Sequence, residues 1–176
     1  MHVFLTGPVQ IGKSTLIFAA LDTLQPEQLG GFRTVSAKPE ADGSRPVYLQ
    51  PAAAQDLLCS EANRVGIRRP TLGIASFPDV FETAGLAALK DAERCDLILM
   101  DEIGRMERRA AAYSARIRAL LDGSVPILGV VQKKADTPLA AAIRTHPNVR
   151  LIEVSAENRD ALLPEILCAL QTGPAI

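Results

Sequence analysis

His2-Val-Phe-Leu-Thr6, followed at once by Gly7-Pro-Val-Gln-Ile-Gly12-Lys13-Ser14-Thr15, is the stretch that decides the fold. The first five residues are a short apolar run that stops at Gly7-Pro8, the pattern of a buried strand ending in a loop. From Lys13 onward Leu16, Ile17, Ala20, Leu21 and Leu24 recur at helical spacing until Pro26 stops them. Between strand and helix, Gly7 to Ser14 matches G-x-x-x-x-G-K-[ST]. Such a loop turns backbone N–H groups and a helix N-terminus toward phosphate. Gly12 lets the backbone approach closely, Lys13 neutralises β- and γ-phosphate charge, and Ser14 offers a hydroxyl to Mg²⁺. Gly7, Pro8, Val9, Gln10, Ile11, Gly12, Lys13, Ser14 and Thr15 are therefore the candidate phosphate-binding set.

Working outward, Leu97-Ile-Leu-Met100 is a second continuous apolar run, and it ends in Asp101-Glu102-Ile103-Gly104. A buried strand that delivers two acids at its C-terminal end is the natural complement of a phosphate loop. Asp101 would hold Mg²⁺ and Glu102 would polarise an attacking water. Asp101, Glu102, Ile103 and Gly104 thus join the nucleotide-binding set. Lys13 and Glu102 are the candidate catalytic residues, and Ser14 and Asp101 the candidate metal ligands. The adjacent Glu favours hydrolysis, because transfer to a second substrate needs no base aimed at water.

The rest of the chain supplies more strands and helices. Phe32–Ala37 and Arg45–Gln50 read as strands around a turn at Asp42-Gly43, and residues 51–75 carry no clear period. A helix is expected from Ser76 or Asp79 through Ala92 and another from Arg108 to Leu121. Val125–Val131 reads as a strand, Leu139–Ile143 as a short helix and Arg150–Val154 as a strand. A last helix runs from Ala161 to Leu170, with Pro164 in its first turn. Alternating apolar strands and amphipathic helices predict an α/β fold: a mainly parallel sheet between two helical layers. The organisation expected is one domain over 1–176, with 29–75 as a β-rich insertion.

Composition excludes several classes. Over 176 residues, 48% hydrophobic and 22% charged side chains mark a folded chain rather than a disordered one. Nineteen Lys and Arg against twenty Asp and Glu leave a net charge of −1, which excludes a strongly basic nucleic-acid binder. With no Trp and 4% aromatics, a base-stacking platform is also unsupported. Cys59, Cys95 and Cys168 are far apart and form no C-x-x-C pair. No apolar run approaches the roughly 20 residues of a membrane span, and the N-terminus lacks a charged leader, so a cytoplasmic protein is expected.

Taken together, Thr6-Gly7-Pro8 with Gly12-Lys13-Ser14-Thr15-Leu16, Gly31-Phe32, Thr34, Phe81-Glu82, Asp101-Glu102-Ile103-Gly104-Arg105-Met106-Glu107, Val154 and Glu157-Asn158-Arg159 resemble the nucleoside-triphosphatase family first described from thermophiles. The resemblance runs from Val3 to about Leu170, and its Asp101–Glu107 run is specific. It implies a three-layer P-loop fold of the RecA-like, additional-strand type, with the catalytic Glu beside the Mg²⁺ Asp. It further implies slow, base-tolerant hydrolysis of nucleoside triphosphates to diphosphate and phosphate; the activity expected is Mg²⁺-dependent hydrolysis of ATP, GTP and other nucleoside triphosphates by a monomer. Alternative activities are a nucleotide or nucleoside kinase, or a slow nucleotide-dependent switch.

Two segments depart from the family pattern. Gln10 stands where relatives have the middle Gly of Gly-x-x-Gly-x-Gly-Lys, and a side chain there meets positive φ or crowds the phosphates, at about 1–2 kcal/mol. Thr34-Val-Ser-Ala-Lys38 replaces Thr-Glu-Glu-Val-Arg, without the acids and with Lys for Arg. Three weaker candidates remain. Gln132 at the end of its strand either senses the γ-phosphate or caps the strand. Arg105 either reaches phosphate or caps the site, and Arg159 is a candidate for the base pocket. Lys133-Lys-Ala-Asp136 and Ser155-Ala156 are similar to guanine-reading elements, but the Asn that precedes Lys in those elements is missing.

Overall fold

The computed structural model describes residues 1–56 and 58–171. The strands are β1 (His2–Thr6), β2 (Leu29–Ser36), β3 (Arg45–Pro51), β4 (Arg64–Arg69), β5 (Gly73–Ser76), β6 (Leu97–Ile103), β7 (Ile127–Val131) and β8 (Val149–Glu153). The helices are α1 (Lys13–Leu24), α2 (Pro78–Val80), α3 (Leu86–Ala88), α4 (Ala111–Leu121), α5 (Pro138–Thr145) and α6 (Leu163–Gln171). A π-helical turn, Phe81–Gly85, joins α2 to α3.

All eight strands form one sheet in the order β5-β4-β3-β2-β6-β7-β1-β8. From β2 to β8 the neighbours are parallel. β3, β4 and β5 add to the β2 edge in antiparallel fashion. The 29–76 stretch therefore extends the main sheet. Parallel strands need crossovers, and these put helices on both faces, so central strands are apolar on both sides. Every residue of β1 is buried.

The two faces separate by strand alternation. Val3, Leu5, Leu97 and Leu99 pack with Leu16 and Ile17 of α1 and with Ile166 of α6. Phe4, Ile98 and Met100 pack with Tyr113 and Ile117 of α4 and with Leu139 and Ile143 of α5. The alternation Leu97, Leu99, Asp101 then carries the Asp101 carboxylate to the α1 face, toward the phosphate loop.

Several boundaries differ from those the sequence predicts. The helix expected through Ala92 ends at Ala88. Leu89 and Ala92 are buried, but they lie in the turns that follow, where Asp91 adopts φ 55°. The helix expected from Arg108 starts at Ala111. Its first N–H groups, from Ala112 and Tyr113, donate to the Glu82 carboxylate at 3.0 and 2.9 Å. Glu82 thus caps α4 from a distant helix, while Phe81 packs its ring on Tyr113 at 5.3 Å between centroids. The stretch 51–75, which carries no clear period, contains β4 and all of β5 but its last residue, Ser76.

Gly31 fixes how closely β2 approaches β6. Its φ is +91°, and a Cβ there would sit 1.9 Å from the Leu99 carbonyl oxygen. That obstacle is backbone at buried Leu99 in the middle of the sheet and cannot swing aside. Gly31→Ala is expected to lower unfolding free energy by about 3 kcal/mol or more in urea titration. An unchanged midpoint would contradict this packing.

Candidate active site

The Gly7–Gly12 loop leaves β1 with a tight turn. Gly7 has φ +141°, and a Cβ on it would lie 2.4 Å from the Val154 carbonyl oxygen. Gln10 has φ 61° and Gly12 φ 107°. The sequence expectation for Gln10 therefore holds in its backbone form: the position is left-handed, and the side chain is exposed. Gln10→Val, which puts a β-branched residue in that region, is expected to cost about 1–2 kcal/mol of stability by thermal unfolding, whereas Gln10→Gly should cost nothing. Equal stability of the two variants would remove the strain argument.

Gln10, Gly12, Lys13, Ser14, Thr15 and Glu102 line, with Val9, a cleft of about 270 Å³ at the start of α1. Lys13 is buried, and its Nζ donates to the carbonyls of Gly7 and Pro8 at 3.2 and 2.6 Å. The ammonium is thus held over the concave side of the loop by weak neutral acceptors. Ser14 and Thr15 are exposed at the helix start.

The acids end the neighbouring strand but one. β7 lies between β1 and β6, and β6 runs on through both acids to Ile103. The Asp101–Glu102 peptide is cis. Asp101 is buried, and burial, with a smaller contribution from the Glu102 charge, pushes its carboxyl up to about 6. The charges of Lys13 and Arg33 pull the other way. Glu102 is half-buried and accepts a hydrogen bond from the Gln132 side-chain amide. Gln132 is anchored in turn, because its backbone N–H donates to Ile103 O at 2.8 Å. Gly104 makes room for this amide: a Cβ on Gly104 would lie 2.2 Å from the Gln132 side-chain carbon.

Behind these residues, Glu107 folds the turn after β6. Its Oε1 accepts from the Gly104 N–H at 2.6 Å. Burial pushes its carboxyl up from 4.5 to about 7, against the stabilising backbone hydrogen bonds. A raised carboxyl binds its proton more tightly in the folded state, so folding stability should fall as pH rises from about 4.5 to about 7. Glu107→Gln keeps an acceptor and cannot ionise, and it should flatten that slope. Urea unfolding at pH 5 and pH 7.5 checks this, and an unchanged slope would refute it.

The weaker candidates scatter. Gln132 joins the site through Glu102. Arg159 abuts the loop, with its Cδ 3.8 Å from where a Gly12 Cβ would be. Arg105 is engaged elsewhere: it donates to Lys134 O at 2.7 Å and lies 3.5 Å from Asp136. Sequence reasoning missed Arg33. It lies on β2 in parallel register with Asp101, a relation set by strand pairing that no local motif reveals. The only local hint was a charge interrupting the apolar start of that strand.

Known proteins share this architecture. A family model described as NTPase matches residues 2–167. The cancer-related nucleoside-triphosphatase homolog of Mus musculus is 29% identical, over 98% of this chain and 97% of its own length. The nucleoside-triphosphatase THEP1 of Methanosarcina barkeri is 29% identical, over 92% of both chains. The solution structure of a human cancer-related nucleoside triphosphatase superposes with TM-score 0.66 at 27% identity, covering 97% of each chain. The crystal structure of THEP1 from Aquifex aeolicus gives TM-score 0.68 at 24% identity, covering 98% of this chain and all of that one, and so matches the fold. With the family model spanning nearly the whole chain, over a phosphate loop on α1 and paired acids on β6, this chain belongs to the NTPase family.

Proposed function

We propose that the chain hydrolyses nucleoside triphosphates to diphosphate and phosphate, with Mg²⁺ and with little discrimination among bases. The observation that carries this reading is Glu102, a carboxylate lining the same cleft as Lys13 and Ser14 and oriented by the Gln132 amide. Backbone N–H groups of the loop and the α1 N-terminus receive the phosphates, and Lys13 neutralises the β- and γ-oxygens. A water beside Glu102 attacks the γ-phosphorus while Glu102 accepts its proton. The bond from γ-phosphorus to the bridging oxygen breaks, and its electron pair leaves with the diphosphate.

Mg²⁺ fits the donor set. The Ser14 hydroxyl and the Asp101 carboxylate are hard oxygen donors, and Mg²⁺ is commonly held by one or two protein oxygens with water and phosphate. When bound, it supplies charge neutralisation across the β- and γ-phosphates.

Broad base tolerance is supported by Lys133, which stands where the guanine-reading Asn-Lys-x-Asp pattern has its Asn. The reading also takes the protein as a monomer in the cytoplasm. Among the described residues no helix is long and apolar enough to cross a membrane. The test is phosphate release from ATP, GTP, CTP, UTP and deoxynucleotides, with and without Mg²⁺. Comparable rates across bases, all lost with chelator, are expected. Phosphate appearing on an added acceptor instead of in solution would overturn the reading in favour of a kinase.

A further inference from the structure

We propose that Arg33 reaches the γ-phosphate of the bound triphosphate and is a catalytic residue supplied by this chain's own β2. The inference rests on the hydrolase reading above and adds a residue to it.

Position comes first. Arg33 pairs in parallel register with Asp101. Adjacent strands lie about 4.8 Å apart, and registered residues project to the same face. Arg33 therefore stands beside Asp101 on the α1 face, where Lys13 also lies. β2 borders β6 on the side away from β7 and β1. The phosphate loop and Arg33 thus flank the two acids from opposite sides.

The state of the side chain comes second. Arg33 is half-buried, and its Nε is buried without a hydrogen-bond partner. Its Nη2 donates to the Ala54 carbonyl at 2.7 Å. Among the described residues it forms no direct ion pair with any carboxylate. A guanidinium carries five N–H donors, and here one protein acceptor takes a single one. The Ala54 tether is itself fixed. Ala52 N–H donates to Gly31 O at 2.9 Å and Ala54 N–H to Pro51 O at 3.1 Å, which folds the segment after β3 back over β2. The cation is therefore held in place with donor capacity left over.

The chemistry that fits is a multiply charged anion with several oxygens. In phosphoryl transfer the charge spreads over the γ-oxygens, and an arginine with two parallel N–H groups matches that geometry better than an ammonium does. Lys13 covers the loop side of the phosphates, and Arg33 covers the γ side opposite. A purely structural Arg33 would instead act only as a counter-charge to Asp101.

The experiment compares wild type, Arg33→Ala, Arg33→Lys and Lys13→Ala. Calorimetry measures binding of a non-hydrolysable triphosphate and of the diphosphate, in Mg²⁺ and again in EDTA, and steady-state assays give kcat and KM. Arg33→Ala is expected to leave diphosphate affinity within about twofold and weaken triphosphate affinity about tenfold, in EDTA as well as in Mg²⁺. Its kcat should fall at least about 10²-fold, toward the range seen when an arginine finger is lost. Arg33→Lys should restore part of the triphosphate preference but little of kcat, and it serves if Arg33→Ala does not fold.

An unchanged triphosphate-to-diphosphate ratio in EDTA, with effects confined to Mg²⁺, would overturn the inference and leave Arg33 as a counter-charge to Asp101. Parallel loss for both nucleotides would overturn it too. If wild type releases no phosphate, the hydrolase reading itself has failed, and if Lys13→Ala binds and hydrolyses like wild type, the site assigned to that reading has failed. If Lys13→Ala is inactive while Arg33→Ala keeps the wild-type ratio, only the Arg33 assignment has failed.

Discussion

Glu102→Gln is expected to bind nucleoside triphosphate as wild type does and to turn over about 10²–10⁴-fold more slowly, the range for loss of a positioned base. The substitution is nearly isosteric, so the cleft keeps its shape. What disappears is the group that takes the water's proton. Two further variants separate the base from its support. Gln132→Ala removes the amide that donates to Glu102, and Gly104→Ala places a methyl where that amide sits. Both leave the carboxylate in the chain but free its orientation, so both should lower kcat less than Glu102→Gln does, with KM little changed. Single-turnover phosphate release measures all three. A wild-type rate for Glu102→Gln would remove Glu102 as the base, and a Gln132→Ala variant slower than Glu102→Gln would assign the larger role to the amide.

The site was legible in the sequence where it is local in the chain. β1, its loop and α1 are contiguous, so spacing alone places Gly7, Lys13 and Ser14, and the apolar run 97–100 carries its two acids directly. What lay beyond reach depends on pairing across the sheet. Arg33 matters because β2 is registered on β6, and Gln132, already a candidate from the sequence, takes Glu102 of the adjacent strand as its partner, which no local motif shows. β4 and β5 escaped for a different reason. Arg64, Arg68, Arg69, Gly66 and Gly73 leave them little apolar alternation, because β5 is the sheet edge, β4 lies next to it, and both are only partly buried. The helix that ends early at Ala88 misleads because buried Leu89 and Ala92 continue its apolar spacing after the backbone has turned. Apolar spacing reports burial, and burial can outlast the helix that began it.

Lys13→Ala should abolish hydrolysis and weaken triphosphate binding by at least tenfold, about 1.4 kcal/mol. In the structure the ammonium donates to two neutral carbonyls of its own loop, Gly7 O and Pro8 O. Arriving phosphates offer charged oxygens in their place, and a charge-assisted hydrogen bond is about twice as strong as a neutral one. The lysine therefore gains on binding, and gains again as charge moves onto the bridging oxygen during bond cleavage. Lys13 is 9% exposed, so Ala also deletes a packed aliphatic stem. Lys13→Met keeps much of that stem and loses only the charge, so it separates the two effects. Both variants should lose hydrolysis equally, while Met holds the wild-type unfolding midpoint more closely than Ala. Losing the charge also removes one of the two cations near Asp101, the other being Arg33. The Asp101 carboxyl should then rise further, and any residual nucleotide binding in Lys13→Met should decline at a higher pH than in wild type. Hydrolysis at the wild-type rate in Lys13→Met would show that the loop does not face phosphate at all.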